Sequence, residues 1–404
     1  DAYTGVLNAS GNWWGSNSNP ETAGTIGGTL AANVDYSPWL NSGTDGDSGA
    51  VGFQGDFSNL HVDDDSAFST TTYLGVTPVA NQYITEGYDL LTATGTLNVH
   101  AGSYTEAVDL GAGTNKAVTL AAGASPGQVT VTGDLILTSN DSLPIEIDGT
   151  NPASQYDNFL VTGNITLGNA TLSLSGTHTP VSGDSFTILS ATGTLSGAFP
   201  GYVDGATVLF NLVPLEIDYQ SGAFVLSFDA TPVIDGTSGD DLFFVRRVGT
   251  DVEVRTGAAA PGGTVVMLTP VADLTTITLN GLAGNDTTTI DFSGGNPLPS
   301  GGLTFNGGDP TSGPPGDALV ILKGTSSGLF NTITHTLANE SDGSVSFDPD
   351  GPGGTAASTV TYTGLEPVYD NMDAVNRVFV FTSTNGETIT LSDDGDSGDG
   401  ESRI

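Results

Sequence analysis

Residues Gly133 to Ser175 read GDLILTSNDSLPIEIDGTNPASQYDNFLVTGNITLGNATLSLS. Leu135 and Leu137, Ile145 and Ile147, Ile165 and Leu167, and Leu172 and Leu174 stand two apart, which puts both side chains of each pair on one face of a strand. Between Leu167 and Leu172 the inward positions change from odd to even numbers. The change falls on Gly168-Asn169, residue types that enter the left-handed region at little cost. Short strands joined by such corners form coils, and coils that each cover the apolar face of the last make a β-solenoid. Val129 and Val131 before the stretch and Phe186 and Ile188 after it extend the pattern. Parallel coils are therefore expected from residue 95 to residue 230.

The composition narrows the function classes. Acidic residues number 46 against 7 Lys plus Arg, a formal charge of −39, although only 13% of the chain is charged. The acidity thus comes from missing bases. Such a surface repels nucleic acid and anionic membranes, and attracts cations. There are no cysteines, so no disulfide framework exists. The 57 glycines follow no G-X-Y period, which excludes collagen. No run of about 18 apolar residues offers a membrane span. The chain starts and ends within motifs and reads as a mature segment or a slice of something longer.

All three tryptophans lie in the first 60 residues, in GNWWG (Gly11 to Gly15) and VDYSPWL (Val34 to Leu40). The pairing resembles the closing end of a right-handed parallel β-helix of the pectate-lyase-like superfamily. That resemblance makes Trp13, Trp14 and Trp39 a structural cap, and a sugar-stacking platform is the functional alternative. Residues 61–80 read as a linker. Over Asn81 to Leu91, Ile84, Tyr88 and Leu91 fall at helical spacing, interrupted by Gly87. TLNVHAGSYTEAVDL (Thr96 to Leu110) resembles the opening coil of extracellular parallel β-helices. Ile145 to Ser175, Pro180 to Phe199 and Leu215 to Phe228 resemble a repeat of bacterial autotransporter passengers, where the module is a rigid stalk without a catalytic motif.

The expected organisation is all-β. It has the closing end of a β-helix over 1–60, the linker, an autotransporter-like right-handed parallel β-helix over 81–230, and a Gly/Asp-rich β-repeat region over 231–404. In the last region apolar pairs recur at Ile277 and Leu279, Ile290 and Phe292, Leu303 and Phe305, and Leu319 and Ile321, which suggests continued coils. Phe243 to Arg247 and Val252 to Val254 fit a hairpin across Gly249-Thr250, so a β-sandwich extension stays open beside a β-solenoid one.

Gly236 to Phe243 (GTSGDDLF) and Gly281 to Asp286 (GLAGND) resemble the GGxGxDxUx repeat of calcium-binding β-rolls, and Gly316-Asp317-Ala318-Leu319 resembles a truncated copy. The resemblance implies calcium at Asp240, Asp241, Asp286 and Asp317. Here the copies are separated, Leu282 replaces a glycine, and Thr288 stands where a large apolar residue belongs. Tight turns with self-bonding side chains are the plainer reading. The tail Asp393 to Asp399 lacks a following bidentate glutamate and reads as a solvated loop.

Catalytic sets are scarce. His61, His100, His178 and His335 have no metal-site spacing. The paired carboxylates of β-helix glycosidases or lyases would have to come from Asp63, Asp64, Asp240 and Asp241, with Arg246 or Arg247 as base. Against this, Asp251 and Glu253 can pair with those arginines across the hairpin. Two functions follow. One is a non-catalytic structural or adhesive module of a secreted or cell-surface protein, associating with itself, with neighbouring repeats or with surface polysaccharide. The other is a carbohydrate-active β-helix enzyme or sugar-binding module.

Overall fold

The computed structural model describes residues 5–382 except 22, 29–30, 69–71, 73, 78, 80, 124–125, 258–261, 310–315, 324–329, 352–353 and 356, together with residues 392–393 and 402–403. The acidic-tail residues Asp394 to Asp399 lie outside the described set. The protein is all-β, with several sheets rich in parallel pairs. It divides into two compact units. The first comprises residues 1–179, 183–206 and 217–227; the second comprises 180–182, 207–216 and 228–404.

In the first unit the chain visits three sheets in rotation. One sheet stacks Asn59–Val62, Thr94–Val99, Ala117–Ala122, Ser142–Glu146 and Thr171–Ser175, all in parallel. The next stacks Gly102–Tyr104, Gln128–Val131, Asn158–Val161 and Ser185–Ala191. The third stacks Val108–Asp109, Leu135–Ile136, Ile165–Thr166 and Leu195–Ser196. Register places like on like: Leu60 beside Leu97 and Leu120, and Val108 beside Leu135, Ile165 and Leu195. The first member of each apolar pair quoted above is buried, as are Leu137, Ile147 and Leu167, whereas Leu174 is half-buried. Gly168 and Asn169 have φ of 56° and 62°, so the change of parity occurs through the left-handed corner the residue types indicated.

Two features depart from the expectation. Asn59–Val62, at the edge of the expected linker, pairs in parallel with Thr94–Val99, so residues on both sides of 61–80 share one sheet. The parallel order also stops before residue 230, because Ala223–Phe228 pairs antiparallel with Ser185–Ala191. An antiparallel strand needs no crossover and still satisfies the open edge of a parallel stack.

The expected helix forms over Tyr83–Leu90. Gly87 is required by contact rather than by turn geometry, since a Cβ there would sit 2.7 Å from both Val62 Cγ1 and Leu97 Cδ1. Both helix ends are held by side chains from later in the chain. Glu106 accepts the N–H groups of Ile84 (2.8 Å) and Thr85 (2.9 Å), and Lys116 Nζ donates to the carbonyls of Tyr88 (2.6 Å), Asp89 (2.8 Å) and Leu91 (2.6 Å). An anion at the helix N-terminus and a cation at its C-terminus complement the helix dipole.

The second unit has two main sheets. One contains Val233–Asp235, Ile277–Ala283, Leu303–Asp309 and Ser358–Thr363 in parallel, followed by Gly343–Asp348, Phe330–Leu337 and Ala374–Phe381. The other orders Thr264–Pro270, Asp251–Thr256, Leu242–Val248, Thr287–Asp291, Asp317–Leu322 and Leu365–Asp370. The recurrent apolar pairs alternate between these sheets. Ile277 and Leu279 lie beside Leu303 and Phe305 in the first, while Ile290 lies beside Ile321 in the second. All of them join one core with Phe243, Val254 and Phe347. The hairpin forms as well, with Phe243 opposite Thr256 and Val248 opposite Asp251.

Candidate functional sites

In the second unit Asp241, Asp286 and Asp317 stand in one column, and Asp240 stands beside it. Asp241 N–H donates to Asp286 Oδ1 and Asp286 N–H donates to Asp317 Oδ1, both at 2.7 Å, while Asp240 Oδ1 accepts the N–H of Asn285 at 2.8 Å. Asp286 and Asp317 are fully buried. Burial pushes the Asp286 carboxyl up, and the nearby charges of Asp317, Asp241 and Asp240 add to that, against the lowering effect of the Asp241 N–H. Alongside runs a polar ladder: Asn280 donates to Asp235 (2.7 Å), Asn306 to Asn280 (2.8 Å), and Thr363 to Asn306 (3.0 Å). Gly236, Gly281 and Gly307 continue the same strands, and a Cβ on Gly281 would lie 2.2 Å from Asp286 Oδ2 and 2.4 Å from the Gly307 carbonyl. Glycine is needed here because the aspartate folds back over it.

Each of Asp240, Asp286 and Asp317 has one carboxylate oxygen on a backbone N–H, the second oxygen of Asp286 is buried without a hydrogen-bond partner, and no three of the four aspartates gather oxygens within 4.8 Å of one another. Calcium wants six to eight oxygens around one point. Leu282, where the motif has glycine, is itself held at φ 80°.

In the first unit, three carboxylates do gather: among the described residues, Asp63, Asp64 and Asp65 have oxygens mutually within 4.8 Å. Two of the three carboxylates accept hydrogen bonds. Asp63 accepts from Asn19 Nδ2 (2.7 Å) and the Asp65 N–H (3.0 Å), and Asp64 accepts the Ser103 N–H (2.7 Å). Beside them lies a pair that sequence spacing did not bring together. His61 Nδ1 and His100 Nε2 are 3.1 Å apart, and His61 Nε2 is 2.9 Å from Asn41 Oδ1. His100 Nε2–H donating to His61, and His61 Nε2–H donating to Asn41, satisfies this chain with both rings neutral. Burial lowers both pKa values to about 4, with His100 adding to the effect at His61. The readable signal was the shared L-x-V of LHV (Leu60 to Val62) and LNV (Leu97 to Val99), which sets the register and puts His100 one step beyond it.

Trp39 is fully buried, stacked on His61 (5.3 Å between centroids) and packed against Tyr36 (5.8 Å), in the terminal strand of its sheet. Trp14 packs partly buried against the same cluster, and Trp13 is half-buried over Gly43. The aromatic group thus lies at the terminal strand of the sheet that contains Thr94–Val99.

The carboxylates and arginines that the alternative enzyme reading would use are divided between the units, Asp63 and Asp64 in the first and Asp240, Asp241, Arg246 and Arg247 in the second. Arg246 and Arg255 clamp Glu253 at 2.7 Å each and hold its carboxyl low, and Arg247 donates to the carbonyls of Gly249 and Asn296. His178 and His335 each pair with an aspartate, Asp184 at 2.8 Å and Asp370 at 3.0 Å. No protein family, no curated protein and no solved structure matches the chain.

Proposed function

We propose that this chain is a non-catalytic structural or adhesive segment of a secreted or cell-surface protein, built from right-handed parallel β-solenoid coils of autotransporter-like type. The observation that carries the reading is the polar ladder Asp235, Asn280, Asn306 and Thr363, with the aspartate column beside it: side chains able to do chemistry are bonded from one strand level to the next. Asp134, Asn164 and Thr194 are bonded the same way in the first unit, at 2.7 and 3.0 Å. Bonds of this kind tie successive levels laterally and resist shear, which suits a load-bearing stalk. In this reading the corner aspartates hold the turns themselves, and calcium is at most a stabiliser.

The test has two readouts. Purified protein incubated with neutral and acidic polysaccharides should release no new ends, and melting temperatures in chelator and in millimolar calcium should agree. Turnover abolished by Asp240→Asn or Asp63→Asn would replace the structural reading with the carbohydrate-active one. A melting rise that grows with free calcium as RT ln(1 + [L]/Kd) would make the ion integral.

A further inference from the structure

The strand Ala374–Phe381 (AVNRVFVF) ends the seven-stranded sheet of the second unit, and among the described strands only Phe330–Leu337 pairs with it. Along another long edge of this unit, Thr264–Pro270, the Leu268 N–H is bonded to the Leu212 carbonyl. Ala374–Phe381 has no proline, glycine, lysine or acid. Val375, Val378, Val380 and Phe381 are 38–63% exposed, and so is Phe379 even while it stacks on His335 at 5.1 Å. Apolar side chains are therefore uncovered on both faces of an edge whose one charged residue, Arg377, is engaged by Asp370 and the Met372 carbonyl.

We infer that this edge joins a second copy of the chain, strand to antiparallel strand, about a two-fold axis at Val378. The sequence is self-complementary in that register. Val375 falls opposite Phe381 of the second copy, Asn376 opposite Val380, and Arg377, whose guanidinium is held by Asp370 and the Met372 carbonyl, opposite Phe379. Registers centred one face-preserving step away would oppose Arg377 to itself or leave Val375 unmatched. Charge permits the same occupant: in a chain of −39 this strand carries no acid and its Arg377 is already paired with Asp370, so two such edges meet without opposing unpaired carboxylates. A two-fold contact closes on itself, so it gives a dimer and no filament. Seven residues, Val375 to Phe381, at about 3.4 Å each form a seam of about 24 Å, a small interface, so the dimer is weak and is strengthened when salt screens the two chains. The inference holds whether the chain is structural or enzymatic.

The chain has no cysteine, so single thiols report the register directly. Residues directly opposite in an antiparallel pair have Cα atoms about 4.5 to 5.5 Å apart, within disulfide reach. Val378→Cys should therefore oxidise to a covalent dimer at least tenfold faster than Val51→Cys, a fully exposed control in the other unit. In sedimentation at 1 M NaCl the unmodified chain should rise with concentration from its 40.8 kDa mass toward twice that value. Val378→Lys should remain monomeric with an unchanged thermal melt. Equal crosslinking of the two thiols, a chain that stays monomeric in high salt, association undiminished by Val378→Lys, or growth beyond the dimer would each overturn the inference.

Discussion

Glu86 sits on the helix Tyr83–Leu90, 2% exposed, with neither carboxyl oxygen hydrogen-bonded, and burial followed by the charges of Asp35, Asp89 and Glu106 pushes its pKa from 4.5 up to about 8. Its folded pKa is raised, so the stability linked to this group is fully present below pH 4.5 and is lost as pH climbs toward 8. At pH 7 the difference spans 2.5 pH units above the unfolded value, which at 1.36 kcal/mol per unit is about 3.4 kcal/mol, and relaxation of the site brings this to about 2 kcal/mol. Glu86→Gln keeps the shape and removes the titration. It should match the parent within about 1 kcal/mol at pH 5 and be more stable by about 2 kcal/mol at pH 7 to 8. His61 and His100 act in the opposite direction, since their depressed pKa values give stability that is complete above pH 6.5 and lost toward pH 4. Both proteins share that loss, and it cancels in the difference. Urea unfolding followed by tryptophan emission reads the first unit, which holds all three tryptophans. A stability difference between Glu86→Gln and the parent that is the same at pH 5 and pH 8 would refute a buried, unpartnered acid at this position.

Three further outcomes are expected. Thr288 is fully buried between Phe243 and Leu319 with its hydroxyl unpartnered, so Thr288→Val, nearly the same shape, should gain about 1 kcal/mol in denaturant unfolding. Leu282 is half exposed at φ 80°, a conformation that penalises a Cβ; Leu282→Gly should raise stability by about 1 kcal/mol, and a loss would show that the leucine packs usefully. Lys116→Met retains the side-chain stem but abandons three helix carbonyls, and should cost about 1–2 kcal/mol, with faster amide exchange confined first to Tyr83–Leu90.

What the sequence determined by itself was whatever depends on neighbours two to five residues apart. Alternation gave the strands of Gly133 to Ser175 and their inward side chains, Gly168-Asn169 gave the corner, Ile84, Tyr88 and Leu91 gave the helix, and Gly249-Thr250 gave the hairpin. The aspartates of GTSGDD and GLAGND could likewise be picked out as members of one recurring corner. Tertiary structure decided how those pieces meet. That the corner aspartates bond backbone N–H groups of the neighbouring level, that His61 reaches His100, that Glu106 and Lys116 hold a helix more than twenty residues earlier, and that Ala223–Phe228 runs antiparallel all depend on register between distant strands. Register is set by the apolar faces of whole strands packing together, and a shift of two residues would leave the local alternation intact while moving every one of these polar partners out of reach.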